Sequence, residues 1–199
     1  VLVELNARYD DGTNVGGALH LERSDVHVVY GVVGLKTHAK CTLVVRNDGD
    51  GLRRYCHIGT GNYNSKTARI YEDVGFLTCD EQVGSDVTAL FNHLTGYSRA
   101  VEFESLLVAP NDLRTNLFDL IEHESSFGSE GRIVAKLNSL TDPEMVEALY
   151  RASQAGVQID LITRGICCLR PGVPGLSDNI RVRSILGRYL EHSRVVRFE

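Results

Sequence analysis

The sequence predicts an α/β protein of two domains. Three observations lead to the α/β class. Strand-like and helix-like segments alternate along the 199 residues, which is the pattern of layered α/β architecture. The composition, 43% hydrophobic and 24% charged, suits a soluble globular core. The pattern restarts near residues 96–106, and 199 residues fit one large domain or two small ones. We place the division between residues 103 and 104.

Taken in order, Val1–Leu5 is an apolar run that predicts a buried strand, and Asp11–Arg23 has helical spacing weakened by Gly12, Gly16 and Gly17. Val26–Val33 is a valine-rich strand. Lys40–Arg46 and Arg53–Ile58 predict a hairpin across Asn47-Asp48-Gly49-Asp50-Gly51, a dense turn cluster. A short strand over Val74–Thr78 and a helix over Glu81–Leu94, ending near Gly96, close the first half. In the second half Ser105–Val108 predicts a strand, Asp112–Glu124 a helix and Arg132–Leu137 a strand. Thr141-Asp142-Pro143-Glu144 is a helix start with a capping side chain and proline in the first turn. That helix runs to about Gln154 and stops at Gly156, and Val157–Thr163 and Ile180–Ile185 are strands around the loop Leu169–Ser177.

The chain begins and ends inside apolar runs and has no initiating methionine, Met145 being its only Met, so it reads as a piece of a longer protein. No run of about 18 apolar residues is present to span a membrane, and there is no signal peptide. The five cysteines (Cys41, Cys56, Cys79, Cys167, Cys168) are odd in number and form no Cys-x-x-Cys. Reduced thiols in a cytoplasmic protein are the reading they favour. Net charge is −5, but it is segregated. Residues 36–69 carry seven Lys/Arg against two acids, residues 71–130 two Arg against twelve acids, and residues 164–199 seven Arg against three acids. A local positive field matters more to an anionic substrate than the total does.

Both basic blocks overlap a His-x-Lys/Arg motif, His38-Ala39-Lys40 and His192-Ser193-Arg194. If His38 and Lys40 lie in a strand they share one face, because strand side chains alternate. Neutral imidazole is a nucleophile, and a cation beside it can neutralise the anion it attacks. The loop Gly59-Thr60-Gly61-Asn62-Tyr63-Asn64 offers backbone N–H groups and small polar side chains of the kind that cradle phosphate. Asn62 and Asn64 suit amide donation and turn formation equally. Asp73 is a carboxylate that could orient His38.

Several segments together resemble one family: Leu35-Lys36-Thr37-His38-Ala39-Lys40, His57-Ile58-Gly59-Thr60-Gly61-Asn62-Tyr63-Asn64, Lys66-Thr67-Ala68-Arg69 and Phe91-Asn92-His93-Leu94-Thr95-Gly96 in the first half, and Arg164-Gly165-Ile166-Cys167-Cys168-Leu169-Arg170-Pro171-Gly172 and Leu190-Glu191-His192-Ser193-Arg194 in the second. They look like the catalytic core of bacterial long-form polyphosphate kinase, over nearly the whole chain. The resemblance implies the two C-terminal domains of that enzyme, phospholipase-D-like α/β folds with the second incomplete; the enzyme moves the terminal phosphate of ATP reversibly onto polyphosphate through a phosphohistidine. On that match His38 is the phosphorylated residue and His192 the second catalytic histidine, at the ATP site. Arg8, in Asn6-Ala7-Arg8-Tyr9-Asp10, matches an arginine of the phosphate and Mg²⁺ site, and Tyr71 and Arg164 match nucleotide ligands. A guanidinium has no lone pair for a metal, so Arg8 would grip phosphate beside the ion. Lys40 and Arg194 are our own additions, as cations for the transferred phosphate. Mg²⁺ would arrive on the phosphates of ATP.

The resemblance further implies ATP/ADP and polyphosphate as partners, no nucleic acid, a homo-oligomeric parent, and a cytoplasmic location that leaves peripheral membrane association open. Residues 1–199 alone would have little or no synthetic activity. Two other classes compete: a phospholipase-D-type phosphodiesterase and a non-catalytic polyanion-binding module. The phosphodiesterase motif reads His-x-Lys, four residues, then Asp; here that position is Val45.

Overall fold

The computed structural model describes residues 1–5, 11–97 and 102–199. It divides into two compact units, each assembled from two stretches: Val1–Ile58 with Phe76–Leu106, and Gly59–Gly75 with Leu107–Glu199. Arg8 lies outside the described residues.

In the first unit β1 (Leu2–Val3) pairs in parallel with β2 (Val29–Tyr30), and α1 (Asp11–Glu22) lies between them in the chain. The two apolar runs thus form much shorter strands than their composition suggests. A two-stranded ladder has little surface against which to bury a face; Val1 is half-exposed and Val33 fully exposed. The predicted hairpin is present. β3 (Cys41–Asn47) and β4 (Leu52–Gly59) run antiparallel from Cys41↔Ile58 to Asn47↔Leu52. The turn works because Gly49 and Gly51 take positive φ (92° and 140°), which side chains resist. The Asn47 side chain accepts the Gly49 N–H at 3.0 Å. After β5 (Tyr71–Glu72), which belongs to the second unit, β6 (Gly75–Thr78) joins the hairpin in the order β3-β4-β6. α2 (Glu81–Leu94) is capped by Asp80, whose carboxylate accepts the Val83 N–H at 2.9 Å. It buries Gly84, Asp86, Val87 and Leu90, spaced on one helical face. A Cβ at Gly84 would stand 3.0 Å from the Cβ of Arg54, so the glycine sets how closely α2 can approach β4.

The strand predicted over Ser105–Val108 does not form. Asp86, 4% exposed, instead accepts the N–H groups of Glu104, Ser105 and Leu106 at 3.1, 2.6 and 2.9 Å. A buried carboxylate takes the donors a neighbouring strand would have used.

The second unit is built from α3 (Leu113–Ser125), β7 (Arg132–Leu137), α4 (Pro143–Ala155), β8 (Gln158–Thr163), β9 (Ile180–Ser184), β10 (Leu190–Glu191) and β11 (Val195–Phe198). Its sheet has the order β11-β7-β8-β9, with β7, β8 and β9 parallel and β11 an antiparallel edge. Asp142 caps α4 by accepting the Met145 N–H at 3.1 Å, Pro143 occupies its first turn, and Gly156 ends it at φ 111°. Ile133 and Ala135 on β7 and Ile159 and Leu161 on β8 alternate inward and pack with Leu149 and Ala152 of α4. Separately, β10 pairs in parallel with β5, Leu190 facing Tyr71 and Glu191 facing Glu72.

Candidate functional site

The short β5–β10 ladder decides what His192 touches. Its register carries Asp73 and His192 past the last paired residues side by side, and the Glu72 carbonyl accepts the N–H groups of both His192 (3.2 Å) and Ser193 (3.0 Å). His192 is 8% exposed. Its Nδ1 lies 2.7 Å from Asp73 Oδ1, and the Tyr71 ring stands against the imidazole at 4.9 Å between centroids, tilted by 40°. A carboxylate has only acceptor oxygens, so Nδ1 carries the hydrogen and Nε2 is left for chemistry.

Asp73 is itself held. Thr60 Oγ1 donates to the same Oδ1 at 2.7 Å and accepts the Val74 N–H at 3.0 Å. A Cβ at Gly61 would fall 2.6 Å from Asp73 Oδ2, so only glycine leaves room for this carboxylate. The Gly-Thr-Gly loop, read from sequence as a phosphate cradle, therefore seats the aspartate that orients the second histidine. Asp73 belongs with His192 rather than with His38, the partner the sequence suggested. Sequence reasoning missed the roles of Thr60 and Gly61; the paired glycines around a threonine were the available signal.

Cations gather on the same unit. Burial holds the Arg194 guanidinium below its ordinary pKa, the charge of Arg164 adds to that, and Asp73 pulls the other way. The two arginines thus share one electrostatic neighbourhood, and an entering phosphate would relieve their mutual repulsion. Arg164 Nε donates to Asn138 Oδ1 at 3.0 Å, and Arg194 lies 3.4 Å from the His192 carbonyl. Gly165, directly after Arg164, lies where a Cβ would meet the Asn138 carbonyl and the Ser139 hydroxyl, both at 2.9 Å. A cleft of about 270 Å³ opens beside Arg164, walled by residues 185–191 including Leu186, Arg188 and Tyr189.

On the first unit, His38 is exposed and precedes the strand, which begins only at Cys41. Strand alternation therefore does not align His38 with Lys40. The Lys40 ammonium instead reaches back to the His38 carbonyl at 2.5 Å. Asn64 performs a turn role, its side-chain oxygen accepting the N–H groups of Lys66 and Thr67 at 2.9 and 3.1 Å. His192, Tyr71, Arg164 and Arg194 are thus brought together on one unit, and His38 and Lys40 lie on the other. Among the described residues no three His, Cys, Asp or Glu side chains converge to hold a metal. The arginine-rich donor set does not fit a protein-held Mg²⁺.

Two family models match. One described as polyphosphate kinase C-terminal domain 1 covers residues 1–100, and one described as polyphosphate kinase C-terminal domain 2 covers residues 106–199. Polyphosphate kinase of Mycobacterium avium (strain 104) is 58% identical over 200 residues, covering 99% of this chain and 27% of that protein. The Synechocystis sp. polyphosphate kinase is 59% identical over 201 residues, 100% of this chain and 28% of its own length. The crystal structure of polyphosphate kinase from Porphyromonas gingivalis is similar over 100% of this chain and 33% of that one, with a TM-score of 0.85 and 41% identity. The chain therefore spans about a quarter of the length of the curated relatives it matches.

Proposed function

The chain belongs to the polyphosphate kinase family, and we propose that within its parent protein it transfers the terminal phosphate of ATP reversibly to polyphosphate through a phosphohistidine at His38. The observation that carries this reading is the fixed His192: an almost buried imidazole, its Nδ1 committed to Asp73, beside two arginines that share one field.

The chemistry follows from those groups. An imidazole nitrogen of His38 attacks the γ-phosphorus, the bond to the bridging oxygen breaks, and ADP leaves. In its imidazolium form, with Nδ1–H held by Asp73, His192 donates the Nε2 proton to the departing oxygen and is left as the neutral Nδ1–H imidazole. Arg164 and Arg194 neutralise the charge spread over the equatorial oxygens, where positioning and electrostatics supply most of the rate. Arg8, by the family resemblance, and Lys40, by its place in the His-x-Lys motif, are further candidate cations for phosphate. A terminal oxygen of polyphosphate then attacks the phosphohistidine and frees His38. We take residues 1–103 and 104–199 as the two catalytic domains. We place the parent in the cytoplasm as a homo-oligomer acting on ATP and polyphosphate rather than nucleic acid.

The test is incubation of the full-length parent with γ-labelled ATP. Acid-labile, base-stable label that maps to His38 supports the reading. Absence of label together with cleavage of a phosphodiester overturns it in favour of the hydrolytic class.

A further inference from the structure

We propose that Lys136 is a positioning residue for His192, acting through the two residues on either side of it. Lys136 is on β7, in register with Val195 at the start of β11. From there its ammonium donates to Ser193 Oγ at 2.6 Å, lies 3.3 Å from the Ser193 carbonyl, and pairs with Glu191 Oε2 at 3.1 Å. Lys136 and Glu191 are only 21% and 18% exposed, so the pair is largely withdrawn from water.

His192 is therefore fixed at two levels. Asp73 holds the ring, and Lys136 holds the backbone from which the ring hangs, by bridging residues 191 and 193. β10 has only two residues and ends at Glu191, and beyond it both the His192 and Ser193 N–H groups share the one Glu72 carbonyl, so Lys136 adds a second, side-chain anchor. β7 lies between β11 and β8 in the four-stranded sheet, and Lys136 ties the histidine segment to it. Lysine is well suited to such a bridge, because three donors on a long stem can serve a carboxylate, a hydroxyl and a carbonyl at once. A shift of about 1 Å in a positioned acid or base costs on the order of 100-fold in rate. This inference rests on the reading of His192 as the proton-handling residue.

The experiment uses the full-length parent with Lys136→Met, Lys136→Arg and Glu191→Gln, beside His192→Ala. Steady-state kinetics are paired with the Nδ1–H signal of His192 in selectively ¹⁵N-histidine-labelled protein. Lys136→Met should lower kcat at least 10-fold, change KM for ATP less than about 3-fold, and broaden or shift that signal. Lys136→Arg should recover a third or more of the lost kcat. Glu191→Gln, which keeps a hydrogen-bonding group and tests the bridge if Lys136→Met fails to fold, should cost 3- to 10-fold in kcat with the same signal disturbed. A His192 signal unchanged in Lys136→Met or, where that variant does not fold, in Glu191→Gln, with kcat within 2-fold of the wild type, overturns the proposal. If His192→Ala retains full activity, the functional reading of His192 fails, while the signal in the Lys136 and Glu191 variants still decides whether Lys136 positions the ring.

Discussion

The two histidines sit in opposite settings, and the contrast follows the two units that carry them. The first unit presents an open sheet: Val44, Val45, Leu52, Phe76 and Leu77 are all exposed, and His38 lies exposed just ahead of β3. The second unit holds the main apolar cluster, centred on Ile133, Ile159, Leu161 and Val157, all at or below 1% exposure, and it nearly buries His192. A histidine that must receive a phosphate and surrender it needs access from more than one side. A histidine that manages a proton needs one fixed orientation, which a packed sheet, a carboxylate and a lysine can enforce.

This contrast can be broken most directly at its ends. In the parent, His38→Ala should abolish phosphorylation, a loss of 1,000-fold or more, with folding intact by circular dichroism. His192→Ala should slow turnover by about 100- to 10,000-fold, the usual contribution of an acid–base group, while nucleotide binding measured by calorimetry survives. Equal, modest losses at both positions would erase the distinction between carrier and proton handler.

Stability should divide along the same line. Leu161→Ala, in the cluster, should cost about 2–5 kcal/mol by denaturant unfolding. Leu77→Ser, on the exposed sheet, should stay within about 0.5 kcal/mol. A large loss for Leu77→Ser would mean that the open face is covered in the protein tested.

Asp73→Asn should lower kcat about 10- to 100-fold, the typical effect of removing a group that orients a functional histidine. Gly61→Ala should resemble it, because the added methyl would displace the same carboxylate. The phosphorylation level of His38 at long times should be unchanged in both, which separates orientation of His192 from loss of the carrier.

Within the first unit, the segment that Asp86 holds should respond to acid. Burial alone would raise the Asp86 carboxyl, but the N–H groups of Ser105, Leu106 and Glu104 and the Gln82 side chain together outweigh it and hold the carboxyl below the ordinary range. A group whose pKa is lowered on folding stabilises the fold above its unfolded value and loses that contribution as pH falls through the folded one. Acid should therefore loosen residues 104–106 only below the usual carboxylate range. Asp86→Asn should remove this dependence and cost about 1–3 kcal/mol at neutral pH. Hydrogen exchange at these three amides across an acid titration measures both.

Much of this was legible locally. Turn glycines between alternating strands specify the β3–β4 hairpin, and Asp142-Pro143 with Gly156 brackets α4, because caps and turns depend on neighbours in the chain. Of three strand expectations, two were shortened and one failed. Val1–Leu5 and Val26–Val33 are apolar enough for long strands but form only the short pair β1–β2, and Ser105 and Leu106, at the head of Ser105–Val108, give their amides to a side chain on α2. Sequence periodicity reports which face is oily, not which partner arrives.

The site divides in the same way. Residue chemistry and motif order by themselves determined the family resemblance and singled out His38, His192, Arg164 and Arg194 as candidates, since those depend on what each side chain is. That Asp73 serves His192, across 119 positions, was decided only by the parallel register of β5 and β10. That Lys136 reaches Glu191 and Ser193 was decided only by the antiparallel edge of β11 on β7. Such pairings are long-range consequences of strand register, and no spacing along the chain encodes them.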